Sequence, residues 1–473
     1  GGGAPSGTLR LAEGSGPRTI TLRSAAEGGG AVLKHFTFDP ERYEIRVDLE
    51  LERGDGLAQI EGYRLLWTHS LESTEGNQKD DWASFQLAAS AGRQVTRQGL
   101  RGGFFGGGAS EDKSTSVVGE LDWASMKSKY FVVAVIPESQ KSGKATLIGN
   151  PKTHRMRFEI DQPFPWRGGP RETYRVYAGP IVYDRLANLG VGLEAVVELG
   201  WSWIRPFSRL VLTFMRFLHN FISNYGIIII IVSVLSKLVF WPLSEKSFRS
   251  MREMQSVQPL MQEIRNRYKD DPQEMNRQVM ALYKRRGVNP VGGCMPLVVQ
   301  MPIFVALYAV LRSNIELRNA PFMLWIDNLA APDVLFTMPF RLPGLGSDFS
   351  LLPLLMGAAM IWQSKMGSPM SMSGPGAQQQ AMMKWLMPIV FIFIFYKMPS
   401  GLVLYWLVNT VLSVSQQLLI NRKFAEAPAA STAALPKLQD QGRKDHGAPD
   451  RVDRPQRGRS ARKGARRVGG KAR

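Results

Sequence analysis

The residues best suited to chemistry are polar side chains that interrupt long apolar runs in the second half of the chain. Lys237 is the twelfth residue of the apolar run 226–243, and Ser233 and Ser236 lie within one helical turn of it. A charged side chain at the centre of a bilayer costs about 2.5–3.5 kcal/mol on insertion scales, so it usually faces a polar cavity. The alternative is snorkelling, because the lysine is roughly 9 Å from the end of the run and its stem is long.

More polar side chains lie in other apolar runs. Gln300 lies between Pro296 and Pro302, and the last run contains Asn409, Thr410, Ser413, Gln416 and Gln417. Hydrogen bonds between helices explain several of these residues without any function. A hydrophilic groove half-buried in a bilayer explains them together with Lys237. Because the runs contain no acidic residue to pair with Lys237, such a groove could attract an acidic residue of a passing substrate.

Five apolar runs must position these side chains. They are 226–243, 292–311, about 349–364, about 382–396 and about 401–420. A bilayer-spanning helix needs about 20 mostly apolar residues. Buried helices of a soluble protein are the alternative, but five runs with Trp and Tyr near many ends indicate a membrane protein. Only Pro399 and Ser400 clearly separate the last two runs, which predicts a tight helical hairpin.

Charge in the loops predicts how these helices are oriented. The stretch 244–290 has ten Lys or Arg against six Asp or Glu, and the tail 421–473 has fifteen against five. The loop 313–348 has two against four. Because cytoplasmic loops carry the excess of Lys and Arg, we expect 244–290 and the tail in the cytoplasm. The N-terminal region and the loop 313–348 are then outside.

The first 180 residues have the pattern of an all-β domain. Residues 43–52 alternate apolar and polar side chains, and shorter strand patterns occur at 130–136, 155–160 and 173–177. Glycine clusters such as 101–108 separate the strands. We predict an antiparallel sandwich. His35, His69 and His154 are isolated in sequence, and we interpret each as a structural histidine.

Residues 181–225 are predicted to be a linker followed by an amphipathic helix. Its apolar stripe is Phe207, Leu210, Val211, Phe214, Phe217, Leu218 and Phe221, with Arg205, Arg209 and Arg216 between. This pattern favours a helix lying in the membrane interface. Packing on the β domain is the alternative.

The stretch 244–290 has two helical patterns. Between them, Asp271 can cap the second helix, Pro272 suits its first position, and Glu274 completes a box-like arrangement. The predicted hairpin is basic and could contact lipid headgroups, a ribosome or acidic protein segments. A solvated face that only enforces topology is the alternative.

Composition and charge exclude several kinds of site and function. The net charge is +19, and the single Cys294 excludes an intramolecular disulfide and a multi-thiolate zinc site. No Gly-rich phosphate loop is present, so neither ATP nor another cofactor is implied. The basic tail 421–473 could contact ribosomal RNA or be a disordered segment. The sequence opens with glycines and no Met, so we expect a missing N-terminal targeting segment and an incomplete β domain.

Two rival functions fit less well. A small-solute transporter predicts internal repeats, which are not visible in the sequence. An intramembrane protease predicts a zinc motif, a pair of membrane aspartates or a Ser/His pair within the runs. The Met-rich segment 366–383 could be a pliable apolar surface for substrates or a simple linker.

Short motifs resemble those of the YidC/Oxa/Alb membrane protein insertases. They are N-P-V-G-G-C-M-P-L-V-V-Q-M-P-I-F at 289–304, P-S-G-L-V-L-Y at 399–405, W-P-L at 241–243, Q-P at 258–259, A-L-Y at 281–283 and Y-A-G-P at 177–180. The resemblance is strong over 170–425 and weak over 30–170. It implies a polytopic α-helical membrane protein with five core transmembrane helices (226–420), a cytoplasmic hairpin and an N-terminal periplasmic β-sandwich (1–180).

The same resemblance implies a non-enzymatic insertase in the bacterial inner membrane, with a groove open to the cytoplasm and to lipid. Lys237 occupies the position of the family's groove arginine, Ser233 matches a substrate-contacting polar position, and Trp406 beside Tyr405 matches an aromatic one. With Ser236, Gln300 and Asn409, these residues form the predicted substrate-binding groove. The expected partners are nascent membrane proteins, the Sec translocon, the ribosome and membrane lipids.

Overall fold

The computed structural model describes residues 11–12, 14–26, 29–52, 61–100, 112–138, 142–163, 171–289, 295–342, 345–367 and 375–426. Four regions discussed above lie wholly or partly outside these ranges. They are the glycine cluster 101–108, the motif residues 290–294 with Cys294, residues 368–374 of the Met-rich segment, and nearly all of the basic tail.

Eleven strands form the first half of the described chain. They are β1 Arg18–Ala25, β2 Ala31–Phe38, β3 Glu44–Glu52, β4 Gly62–Trp67, β5 Gln86–Ala91, β6 Gln94–Gly99, β7 Lys113–Lys127, β8 Phe131–Pro137, β9 Ser142–Gly149, β10 Met156–Pro163 and β11 Arg171–Pro180. A short helix, α1 Gln78–Trp82, lies between β4 and β5. Four of these strands are the ones predicted from the sequence.

The long strand β7 divides these strands into two layers. Its first half, 113–120, pairs with β9, which continues through β10 to β4. Its second half pairs with β8 and β5, and that layer runs on through β11, β3 and β2 to β1. Gly119, at a φ of +143°, lies next to the point where β7 changes partners. All of these pairings are antiparallel, and the predicted antiparallel sandwich is confirmed.

Burial in the sandwich core explains the sequence patterns of the strands that could be predicted. The strand β10 alternates buried and more exposed residues because only one of its faces contacts the core. The strand β8 is buried along almost its whole length. Its second face is covered by helix α2 Tyr183–Asn188 and the 3-10 turn Leu193–Val196, through Leu186, Leu193 and Val196.

A buried carboxylate joins β3 to β11. Asp48 is 3% exposed and accepts hydrogen bonds from Thr173 Oγ1 at 2.6 Å, Arg171 Nη2 at 3.1 Å and Arg46 Nε at 3.1 Å. Burial acts to raise the pKa of Asp48, but the Thr173 and Arg46 hydrogen bonds and the nearby arginine charges hold it below its usual range.

This depressed pKa predicts acid sensitivity of the sandwich. The stabilisation from Asp48 is fully present above the unfolded aspartate pKa of about 3.9 and is lost as the pH falls through the lower folded pKa. Thermal unfolding of Asp48→Asn should therefore lose part of the pH dependence seen in the wild type below about pH 4. Equal pH dependence in both proteins would contradict this assignment.

Helices dominate the second half. They are α3 Arg205–His219, α4 Tyr225–Val239, α5 Trp241–Arg267, α6 Pro272–Arg286, α7 Met295–Ser313, α8 Leu352–Gly367, α9 Pro375–Phe395 and α10 Ser400–Glu426. Five of them, α4 and α7 to α10, overlap the five apolar runs. A two-stranded hairpin, β12 Phe336–Leu342 and β13 Gly346–Phe349, lies between α7 and α8 and was not predicted.

The first apolar run is broken, contrary to the prediction of one continuous helix over 226–243. Helix α4 ends at Val239, and α5 begins at Trp241 with a bend of 62°. Pro242 is the physical reason, because it has no N–H to bond to the carbonyl four residues earlier and its ring crowds that turn. Lys237 therefore lies in the last turn of α4 rather than near the middle of a straight helix.

By length and composition, one helical segment in the described part of the chain can cross a membrane, Ser400–Arg422. The bent pair Tyr225–Val239 and Trp241–Met251 passes as one broken span. The apolar segments Val298–Ser313 and Trp385–Phe395 are shorter than a span requires. The prediction of five transmembrane helices therefore stays a prediction.

Helix α3 has two apolar faces. Leu212 and Met215 are buried with residues of α4 and α7. The opposite face leaves Phe207, Leu210 and Phe217 between 48% and 68% exposed. Four of the seven residues predicted for the membrane interface are therefore exposed, while Val211, Phe214 and Leu218 pack against the helical core together with Leu212 and Met215.

The basic hairpin is formed by α5 and α6. Asp271 caps α6 by accepting hydrogen bonds from the N–H groups of Gln273 and Glu274, as predicted. The box-like arrangement does not form, because the Glu274 carboxylate accepts from Gln278 and Arg277 on its own helix. The Asp271 N–H donates instead to the Tyr268 carbonyl.

Close packing between α4 and the segment that contains Phe322 requires a glycine on α4. A Cβ on Gly226 would lie 2.0 Å from Cδ2 and 2.4 Å from Cγ of Phe322. Asn224 caps α4 and also donates to the Phe322 carbonyl at 2.8 Å, which fixes the phenylalanine in place.

We expect Gly226→Ala to lower the free energy of unfolding by about 1–3 kcal/mol, the usual cost of overpacking. Thermal unfolding of the full chain in detergent measures this cost. The control is Gly76→Ala, where a Cβ would meet no atom within 4 Å. Equal unfolding temperatures of the two variants would contradict the packing argument.

Candidate functional site

A cavity of about 270 Å³ lies between five of the helices. Helices α4, α5, α7, α8 and α10 each contribute to its wall. The lining residues are Lys237, Ser244, Ser247, Phe248, Met251, Gln300, Met301, Phe304, Met360, Gln363, Tyr405, Trp406, Asn409, Thr410 and Ser413. Five of the seven predicted groove residues, namely Lys237, Gln300, Tyr405, Trp406 and Asn409, are therefore brought together.

Lys237 is the only ionisable cation or carboxylate among the residues that line the cavity. It is partly buried, and no carboxylate among the described residues forms an ion pair with it. Lys237 lies in the last turn of α4, three residues before Phe240, where the chain bends. A cation in a confined space without a fixed counter-charge favours an anionic or strongly polar guest.

Hydrogen bonds hold the polar wall of α7 and α10 in place. The Gln300 amide donates to Asn409 Oδ1 at 3.2 Å, and Asn409 donates to the Tyr405 carbonyl at 3.0 Å. Thr410 and Ser413 donate to the carbonyls of Trp406 and Asn409. Each of these hydroxyls retains acceptor capacity, so the wall can still bind a donor.

The two aromatic residues on α10 have different roles. The Tyr405 hydroxyl is buried near Gln300, Ser236 and Asn409, but no described donor or acceptor reaches it with hydrogen-bond geometry. Trp406 packs against Phe304, Phe391 and Phe395 at centroid distances of 5.0–5.4 Å. The indole therefore forms part of a fixed aromatic side of the cavity.

The two predicted serines of α4 do not line the cavity. Ser233 is 0% exposed and donates to the Ile229 carbonyl at 2.8 Å, and Ser236 donates to the Ser233 carbonyl at 2.8 Å. Contact of Ser233 or Ser236 with a substrate stays a prediction.

Sequence reasoning missed the contributions of α5 and α8. Ser244, Ser247, Phe248 and Met251 follow helical spacing along one face of α5, and this spacing could have revealed them. They were missed because the run appeared to end at Leu243 and the next residues were assigned to the cytoplasmic hairpin. Gln363 and Met360 are one turn apart on α8 and gave no separate signal.

Both halves of the chain match family models. Residues 217–427 match the model described as 60Kd inner membrane protein, and residues 3–207 match the model described as the YidC periplasmic domain. Together these matches include both the strands of the sandwich and the helices that line the cavity.

Individual relatives agree with the family models. The chain is 33% identical over 407 residues to the membrane protein insertase YidC of Chlorobaculum tepidum, which covers 84% of this chain and 67% of the relative. It is 42% identical over 311 residues to that of Geobacter sulfurreducens, covering 65% and 54%. A crystal structure described as an active YidC insertase with the first transmembrane domain resolved has 18% identity and a TM-score of 0.40, covering 84% of this chain and 78% of that one.

Proposed function

Because the chain belongs to the YidC family of membrane protein insertases, we propose that the cavity around Lys237 is a groove that receives hydrophilic segments of nascent membrane proteins. The single observation that supports this proposal is the set of residue types that line the cavity. Eight polar side chains and Lys237, which forms no ion pair with a described residue, line a space between five helices, and no carboxylate is among the lining residues.

The groove lowers the barrier to moving a polar segment through a bilayer. A charged or polar group in hydrocarbon loses its hydrogen bonds to water at a cost of several kcal/mol. Lys237 supplies a counter-charge for an acidic residue, and the amides and hydroxyls of Gln300, Asn409 and Ser413 replace part of the lost hydration. The groove binds and releases the segment and changes no covalent bond.

Apolar surface on the flanking helices guides the rest of the client. Leu235, Leu238 and Val239 on α4 and Val411 on α10 are exposed, between 39% and 69%. A client transmembrane helix can leave the groove along this surface, and burial of its apolar area at about 25 cal/mol per Å² drives it into lipid.

Charge supports the orientation that this mechanism needs. We infer that the sandwich is periplasmic and that the hairpin of α5 and α6 is cytoplasmic, because the hairpin and the tail carry the excess of Lys and Arg. Exposed basic residues on the hairpin, including Arg265, Arg267 and Arg277, can contact an arriving ribosome. Cooperation with the Sec translocon is part of the same proposal.

Client charge provides the direct experiment. The experiment measures the insertion of a client, that is, a membrane protein substrate, into liposomes that contain the full chain. Insertion should become faster when the short translocated N-terminal segment of the client carries one acidic residue instead of a neutral amide. A client with a lysine at the same position should insert more slowly. Insertion rates that do not depend on this charge would overturn the role of Lys237.

A further inference from the structure

A second cavity, of about 600 Å³, lies where the sandwich meets the helical core. It lies between β5, β6 and β7, the segment before α3, and the last turns of α7. Its lining residues include five cations and one carboxylate, namely Arg97, Lys127, Lys129, Arg205, Arg312 and Glu198. We name it the junction cavity.

The positive charge of the junction cavity is only partly neutralised. Lys127 is 4% exposed and forms an ion pair with Glu198 at 2.8 Å. Lys129 and Arg312 share the carboxylate of Asp80 at 2.9 Å and 2.8 Å. Three cations are therefore paired with only two carboxylates.

Arg97 and Arg205 carry the remaining charge. Arg97 donates to the Ala195 carbonyl at 2.8 Å, and Arg205 forms no ion pair with a described residue. Burial and the charge of Arg205 lower the pKa of Arg97, and burial together with Arg97 and Arg312 lowers the pKa of Lys127. The cations of this cavity therefore repel one another, and a bound anion would relieve that repulsion.

The other side of the cavity is apolar. Val305 and Ala309 of α7 and the ring of Trp201 form this side. Trp201 is 65% exposed and stacks on the exposed Trp203, and α3 with its exposed apolar face begins two residues later. Exposed tryptophans beside an apolar helix face are typical of the headgroup level of a membrane.

We propose that the junction cavity binds the phosphate headgroup of an anionic glycerophospholipid from the outer leaflet, with the acyl chains along Val305 and Ala309 of α7. Arg97, Arg205 and Lys127 contact the phosphate, and Trp201 covers the glycerol region. This proposal rests on the membrane placement given under the proposed function. It adds a bound lipid at the contact between the periplasmic domain and the helical core.

The test is lipid retention by the purified full chain. The protein is reconstituted in bilayer discs with equal parts of phosphatidylglycerol and phosphatidylcholine, extracted in mild detergent and analysed by native mass spectrometry. We expect phosphatidylglycerol to be retained about tenfold over phosphatidylcholine, because charge-assisted hydrogen bonds to phosphate are available to both lipids but only the anionic one balances the net charge. Equal retention of the two lipids would overturn the proposal.

Two variants and one control locate the site. Arg97→Gln/Arg205→Gln should abolish the preference for phosphatidylglycerol. Arg205→Gln alone should reduce it, and it should fold normally because a cation at the first position of a helix opposes the helix dipole. Arg155→Gln, an exposed arginine between β9 and β10, is the control and should retain the preference. An unchanged preference in both cavity variants would overturn the assignment.

Two further outcomes separate this proposal from its alternatives. Retention of inorganic phosphate by the cavity cations without retention of phosphatidylglycerol would identify a free-anion site and contradict a lipid site. Insertion activity is measured on the same variants. A cavity variant that loses the lipid preference but inserts clients normally leaves the groove proposal intact. A groove variant that does not insert clients but keeps the lipid preference supports the junction cavity independently.

Discussion

Replacing Lys237 by Gln is expected to slow the insertion of clients with an acidic N-terminal segment by about ten- to a hundredfold. The reason is that a charge-assisted hydrogen bond contributes about 1.5–3 kcal/mol, and 1.4 kcal/mol is a factor of ten. Clients whose translocated segment is neutral should be affected much less. Insertion rates in proteoliposomes measure both effects.

Two controls accompany this prediction. Lys237→Arg keeps the charge and should retain most of the activity, because the cavity can accommodate polar groups around the ammonium position. Lys365→Gln removes an exposed lysine near the end of α8 and should change nothing. If Lys237→Gln inserts acidic and neutral clients at wild-type rates, then the cation in the cavity is not part of the mechanism.

Asp80→Ala is expected to destabilise the contact between the sandwich and the helical core by about 1–3 kcal/mol, because hydrogen bonds to charged groups contribute about 1.5–3 kcal/mol and the Asp80 side chain is 37% exposed to screening solvent. Asp80 accepts hydrogen bonds from Lys129, whose side chain is 9% exposed, and from Arg312 at the end of α7. A second ion pair, Arg318 with Glu75 at 2.9 Å, lies nearby and will retain part of the contact.

Limited proteolysis and thermal unfolding of the full chain in detergent test this prediction. In Asp80→Ala we expect a lower unfolding temperature and faster cleavage near residues 181–205. Glu72→Ala removes an exposed carboxylate in the same segment and is the control. Identical unfolding of the two variants would mean that the ion pairs contribute little.

Regular elements were predictable from the sequence where a local pattern determined them. The alternation in β3 and the apolar runs of α7 and α10 needed no tertiary information, because the period-two pattern and the length of the apolar runs are visible in the sequence itself. The strands β1, β2, β4 to β7 and β9 and the β12–β13 hairpin were not singled out. The strand β4, for example, depends on β10, a partner that is distant in sequence.

The candidate site was predictable only in part. Lys237, Gln300 and Asn409 were identified because polar residues are costly in apolar runs. Gln363 and Ser244 were not, since their positions depend on how α8 and α5 pack against α10 and on the bend at Phe240. The buried position of Ser233 was likewise invisible, because the sequence places it one turn before Lys237 on the same helix but does not show which neighbouring elements cover that turn.

Site-specific photo-crosslinking to stalled nascent membrane proteins tests the central claim most directly. Neighbouring positions on one helix provide a matched pair, because Gln363 lines the cavity and Trp362 is 53% exposed outside it. Met301 and Val298 form a second pair on α7. The groove proposal predicts that polar client segments crosslink to positions 363 and 301 and not to 362 and 298. Crosslinks at the outer positions alone, in a protein that still supports insertion, would contradict it.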